Sequence, residues 1–378
     1  MGMARGEDAR GGSAALVSPR DRRWLIHNMM KGELFMHYTE IKPDMTIADL
    51  VKSGVYGRLA DYIFTYMTPD HWNCPLEAYG FEKAGFTEGL HRMEELAAED
   101  GQCGASFIHK IYPEEERLAN WDLQDVDLVH FPASPAKTSP YALIIPGGGF
   151  NRQWGFIEGL AIAAHLNSLG VSAFVLFYRV KQEPVVRLAI ADMYQALRYI
   201  DANADKFHVA AGQYMVGGFS AGATVAGEIL SDNFGWKTAA AAKPQSVFLG
   251  YTACCMNEFY EAWAAAPEGS PAREGAASFL RRCGGPVFTK DSLEPYNLLD
   301  HLCADCPPVY ITANEDDGTV PVVNSHSLDR KLTELGVEHV AKIGRTGGHS
   351  FGLGYGLEVE GWLDACVEMW RAAAERER

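Results

Sequence analysis

The alternation of apolar and polar positions divides the chain into a glycine- and charge-rich start, a helical stretch and a long series of alternating strands and helices. Residues 1 to about 20 mix Gly, Ala, Arg and Asp without apolar period, which predicts a disordered arm. From Arg22 to about Glu99 the period is helical. Thr46 can cap a helix running through Ile47, Leu50, Val51, Val55, Leu59, Ile63 and Phe64, a spacing that gathers these side chains largely on one face. Gly80, Gly85 and Gly89 punctuate the next stretch, and Leu90–Glu99 reads as a further helix. This region carries no obvious chemical constellation and reads as a packing extension.

Near Ala105 the rhythm changes. Phe107–Ile111 and Val126–Phe131 read as short strands, followed by a turn-rich connection from Pro132 to Pro140. Further strands are predicted at Ala142–Ile145, Val171–Tyr178, Tyr214–Gly217, Ser246–Leu249, Val309–Ala313 and Val340–Ile343. Between them, helices are predicted at about Glu158–Leu169, Pro184–Asp205, Ala221–Ser231, Ser325–Leu335 and Glu358–Ala374. In Pro184–Asp205, Val186, Ile190, Met193, Leu197 and Ile200 recur at steps of four and three, the mark of one buried face. Such alternation implies the α/β class, with a mostly parallel central sheet flanked by helices. One interval, 251–304, has no strand of its own and is rich in aromatics (Phe259, Tyr260, Trp263). Two readings stand for it: a cap over a ligand site, or a surface excursion whose aromatics pack it down.

Composition narrows the classes of partner. With 33 Lys and Arg against 49 Asp and Glu, the formal charge is −16, which argues against nucleic acid or an anionic membrane. No run of about 18 apolar residues predicts a membrane span, and the start of the chain shows no secretory signal. Eight cysteines are scattered without a framework, which suits reduced thiols in a cytoplasmic protein. Cys303-Ala304-Asp305-Cys306 lacks a second ligand pair, so zinc or redox chemistry is not expected there.

Candidate chemistry falls at the carboxyl ends of the predicted strands, where ligands bind in open parallel sheets. Gly218-Phe219-Ser220-Ala221-Gly222 fits Gly-x-Ser-x-Gly, a serine on a sharp strand-to-helix turn that leaves no room for Cβ atoms two positions away. The same turn aims the Ala221 N–H, at a helix start, toward where an oxyanion would form. Gly147-Gly148-Gly149-Phe150 offers consecutive, unobstructed N–H groups. It is not a phosphate loop, because no Gly-Lys-Ser/Thr follows and Arg152 stands where GxGxxG requires glycine. After Val309–Ala313 comes Asn314-Glu315-Asp316-Asp317, where an acid could orient a histidine; Asp317 is preferred, then Asp316, then Glu315. After the last strand, His349 stands among glycines in Gly344–Gly352.

These residues, in the order Ser220, Asp317, His349, resemble the α/β-hydrolase superfamily. More narrowly, the chain resembles the esterase branch related to acetyl xylan esterases and bacterial feruloyl-type esterases. The resemblance is carried by Ile145–Phe150, Leu176–Val180, Gly218–Gly222, Asp317–Pro321 and Gly348–Gly352, spanning roughly 140 to 355. It implies an α/β-hydrolase fold with an N-terminal helical extension. The organisation expected is an arm plus extension over 1–104 and a catalytic domain over 105–378, with 251–304 a candidate cap insertion. It also implies Asp317 as the triad acid and Gly148, Gly149 and Ala221 as oxyanion donors. The chain departs from the pattern where Ala223-Thr224 replaces the usual Gly-His, and where Ser350 follows His349 in place of glycine. The activity implied is hydrolysis of short-chain esters, including O-acetyl groups on sugars, with no metal or organic cofactor. The partner expected is a small-molecule ester, and homo-oligomerisation stays open. A serine peptidase of the same fold and a non-catalytic binding protein are the alternatives; no repeat of propeller period is visible.

Overall fold

Eight strands form a single sheet in the order β1-β2-β4-β3-β5-β6-β7-β8. They are β1 (Ile108–His109), β2 (Asp127–Phe131), β3 (Ser139–Ile145), β4 (Ser172–Phe177), β5 (Val209–Phe219), β6 (Ser246–Gly250), β7 (Val309–Asn314) and β8 (His339–Gly344). The first two pairings are antiparallel and the rest parallel, so the sheet is mostly parallel, as the alternation predicts. The computed structural model describes residues 38–66, 68–133 and 137–376, and the predicted arm lies outside them. Residues 41–378 form one compact unit; of the other unit, Met1–Glu40, only 38–40 are described.

Among the described residues, the helices of seven residues or more are α1 (Ile47–Ser53), α2 (Phe86–Glu99), α3 (Ala161–Ser168), α4 (Val186–Ala202), α5 (Ala221–Gly227), α6 (Met256–Ala265), α7 (Pro271–Gly284), α8 (Val323–Leu335) and α9 (Trp362–Arg376). Strand pleating sorts the apolar side chains into two cores, one on each face of the sheet. On β3, Tyr141, Leu143 and Ile145 join the core that includes α4 and α5, whereas Ala142 and Ile144 join the one that includes α2, α3 and α9. The near-continuous apolar runs of β4 and β7 follow from burial on both sides.

Helix α1 is shorter than its apolar spacing predicts. Thr46 caps α1 in a reciprocal capping box with Asp49, but Gly54, at φ 74°, closes the helix after two turns. The chain resumes as a 3-10 helix over Gly57–Tyr62. Leu59, Ile63 and Phe64 nevertheless reach the same core as Ile47 and Leu50, because the bend keeps them over the sheet. Among the described residues, no helix is long and apolar enough to cross a membrane.

One buried group ties stability to pH. Glu228, in the 3-10 turn that continues α5, has no exposed surface, and neither carboxyl oxygen has a hydrogen-bond partner among the described residues. Burial pushes its carboxyl from the ordinary 4.5 up to about 8. A carboxyl raised in the folded state contributes stability that is whole below the unfolded value and lost as pH climbs through the folded one. Urea unfolding at pH 5 and pH 8 should therefore show Glu228→Gln losing less stability across that interval than wild type, by on the order of 3 kcal/mol.

Candidate active site

β5 runs straight into a reversal. Ser220 takes φ 51° and ψ −122°, a strained conformation for a residue with a Cβ. Its N–H donates to the Gly250 carbonyl on β6 at 3.0 Å, so the sheet holds the turn in place. Space alone dictates the flanking glycines. A Cβ on Gly218 would lie 2.4 Å from the Gly222 carbonyl oxygen, and one on Gly222 would lie 2.1 Å from that of Ile145. These are backbone atoms that no rotamer change can move. Gly222→Ala should therefore cost ~1–3 kcal/mol or more in thermal denaturation. Gly275→Ala, on the exposed surface of α7 with nothing within 4 Å of its added Cβ, should be neutral or slightly stabilising.

The loops after β7 and β8 bring the other two residues to this serine. His349 Nε2 lies 2.9 Å from Ser220 Oγ, and its Nδ1 lies 2.7 Å from Asp317 Oδ2. A carboxylate can only accept, so the bonding pattern assigns the proton to Nδ1 and leaves Nε2 to accept the Ser220 hydroxyl. Asp317 is itself held. Its Oδ1 accepts the N–H groups of Thr319 at 2.8 Å and Val320 at 2.9 Å, and its side chain is 1% exposed.

Geometry also separates the three candidate acids. Asp316 accepts the Gly347 and Gly348 N–H groups at 3.2 and 2.8 Å, bonds that hold its carboxyl below the usual range. Glu315 pairs with His326 at 3.0 Å. Only Asp317 of the three is bonded to the His349 ring among the described residues.

The glycine loop lies against the serine turn, since a Cβ on Gly147 would sit 2.8 Å from Ser220 Cβ. Gly148, at φ 127°, folds so closely over the next turn that a Cβ there would lie 2.2 Å from the Arg152 carbonyl oxygen. The Gly147 N–H is spent on Glu158 Oε2 at 2.7 Å. The N–H groups of Gly148 and Gly149 have no hydrogen-bond acceptor among the described residues. Ala221, as the first residue of α5, has no acceptor within its own helix.

Two segments pack against the loops of this centre. Residues from the N-terminal region brace both loops: Phe156 N–H donates to the Ile63 carbonyl at 2.9 Å, and Tyr355 N–H to that of Lys83 at 2.9 Å. Trp154 packs in an aromatic cluster with Phe64, Tyr79 and Phe156. Asn151 is exposed and donates to the Gly149 carbonyl at 3.1 Å. From the 251–304 interval, Phe279 of α7 stacks on Phe150 with ring centroids 5.7 Å apart. Phe259 packs on Phe279, while Tyr260 and Trp263 pack on each other and on Phe288.

Sequence reasoning missed Glu158 and Tyr251. Glu158 is fully buried beside the glycine loop, and Tyr251 presents its ring edge-on to His349 with centroids 4.6 Å apart. The available signal was a single charge inside the apolar run Phe156-Ile157-Glu158-Gly159-Leu160-Ala161-Ile162.

The sheet order, the strained serine turn and the converging loops define the α/β-hydrolase fold. The chain is similar to the esterase branch of proteins with this fold: residues 127–233 match the BD-FAE family model. It is 26% identical over 229 residues to endo-1,4-beta-xylanase B of Butyrivibrio fibrisolvens, an alignment covering 58% of this chain and 34% of that protein. The chain thus spans about a third of the length of that curated relative. Among solved structures, an acetyl ester-xyloside bifunctional hydrolase from Caldicellulosiruptor lactoaceticus superposes with a TM-score of 0.58 at 23% identity, covering 71% of this chain and 96% of that one. Esterase B from Lactobacillus rhamnosis superposes with a TM-score of 0.55 at 17% identity, covering 76% and 98%. At these identities the likeness is one of fold.

Proposed function

We propose that the protein is a serine carboxylesterase acting on short-chain, acetyl-like esters, with O-acetylated carbohydrates as the leading natural substrates. The observation that carries this reading is the continuous hydrogen-bonded chain Ser220–His349–Asp317. His349 Nε2 takes the Ser220 proton as Oγ attacks the ester carbonyl. The resulting oxyanion is met by the N–H groups of Gly148, Gly149 and Ala221. Collapse expels the alcohol, which receives the proton from the imidazolium. Water, activated by the same imidazole, then attacks the acyl-enzyme and returns Ser220 with release of the acid. Asp317 keeps the imidazole in the required tautomer and offsets the charge it gains.

Phe150, next to the proposed donor Gly149, is fully buried and stacks on Phe279 of α7. We assign the α6–α7 insertion as a cap over the acyl side on the same ground. The sugar part rests on the similarity to the bifunctional hydrolase whose name includes an acetyl ester-xyloside activity. The eight unpaired thiols suit a reducing compartment, and we assign the cytoplasm.

Initial rates on p-nitrophenyl acetate, butyrate and octanoate, followed by acetate release from acetylated xylan oligosaccharides, test the proposal. Acetate should be turned over fastest and octanoate slowest. An inverted order would sink the short-chain assignment, and peptide hydrolysis without ester hydrolysis would sink the esterase.

A further inference from the structure

Glu158 occupies a single π-helical turn, Phe156–Leu160, just after the glycine loop. Its side chain joins three separate parts of the site. Oε2 accepts the Gly147 N–H at 2.7 Å, while Oε1 accepts the hydroxyls of Tyr251 at 2.9 Å and Ser350 at 3.0 Å. Gly147 opens the glycine loop, Ser350 follows His349, and the Tyr251 ring rests against the His349 imidazole. Three donors on one carboxyl favour its ionised form. No lysine or arginine pairs with it among the described residues. The one cation available to this buried charge is therefore the imidazolium that forms at His349.

We propose that Glu158 is a positioning residue that locks the glycine loop, Tyr251 and the His349 loop together and supports the His349 imidazolium with its charge. The proposal rests on the Ser220–His349–Asp317 reading. The groups that face Glu158 are few. His349 comes from the loop after β8, Tyr251 from the end of β6 and Tyr178 from the end of β4, with Asp317 against Tyr251 from the loop after β7. Burial holds both tyrosines far above their ordinary value, so they stay neutral donors. Burial holds the Glu158 carboxyl above its ordinary range, and His349 and the three donors offset this only in part. Coupling between two sites is reciprocal, so the charge on Glu158 must favour a proton on the imidazole as the imidazole favours the charge on Glu158.

The test uses the full chain, comparing wild type with Glu158→Gln and with the double variant Tyr251→Phe/Ser350→Ala. It measures kcat and KM on p-nitrophenyl acetate from pH 5 to 9, and the rate of labelling by a fluorophosphonate. Glu158→Gln should lower kcat by about 10- to 100-fold, with KM changed by less than about 3-fold. It should also move the acidic limb of kcat/KM to lower pH by about half a unit or more, because a negative charge facing the imidazole is gone. The double variant strips two of three donors from the carboxylate and should move the limb the same way by less. It decides the matter if Glu158→Gln does not fold. A folded variant whose limb stays at the wild-type position overturns the proposal, even if kcat falls, because a merely structural role would do that. Wild-type protein that the fluorophosphonate does not label would overturn the Ser220 reading itself; normal labelling with an unmoved limb removes Glu158 alone.

Discussion

Ser220→Ala is expected to reduce kcat on p-nitrophenyl acetate by at least about 10⁴-fold, leaving KM and the thermal midpoint close to wild type. The reason is positional. Ser220 Oγ is the hydroxyl that donates to His349 Nε2, and the strained turn at φ 51° holds it at the carboxyl edge of the sheet. The nearest hydroxyl along the same helix is no substitute, because Thr224 Oγ1 is buried and donates to the Ala253 carbonyl at 2.8 Å. Alanine fills the same backbone conformation without the oxygen, so chemistry is lost while the glycine loop and pocket survive. Measurement of kcat and KM on both proteins, with circular dichroism to check folding, reads the effect. Equal rates would mean that another group attacks the ester.

The second large effect separates two neighbouring acids. Asp317→Asn should lower kcat by about 10⁴-fold near neutral pH, whereas Asp316→Asn should stay within about 10-fold of wild type. Asp317 accepts from His349 Nδ1 on one oxygen and from two backbone N–H groups on the other. With its oxygen kept on those backbone donors, an amide turns its NH₂ toward Nδ1, which then has to accept. The ring proton moves to Nε2, the atom that must receive the serine proton. Asp316 points elsewhere and ties down Gly347 and Gly348 from an exposed position, where asparagine can still accept. Parallel kinetics on the two variants reads the contrast. A larger loss in Asp316→Asn would show that the loop after β7 carries its acid one residue earlier.

The alternation of apolar runs determined the parallel sheet, because each strand buried on both faces needs an unbroken apolar run and each covering helix an apolar stripe. Local sterics determined the serine turn as well: Gly218 and Gly222 are demanded by backbone atoms within a few residues and by the adjacent strand end at Ile145. The order Ser220, Asp317, His349 was legible because strand ends of a parallel sheet share one edge. Tertiary structure decided the rest. Between Glu315, Asp316 and Asp317, one residue of rotation in a loop chooses which carboxyl meets the imidazole, and composition carries no trace of that rotation. Gly54 ends α1 early, yet the side chains beyond it return to the same core, since burial over the sheet outweighs helical continuity. Glu158 finds Tyr251 across 93 positions and Ser350 across 192, contacts that exist only once separate loops have converged. Chain-local forces wrote the elements and the turn into the sequence, while the desolvated interior of the folded protein determined which polar groups would meet there.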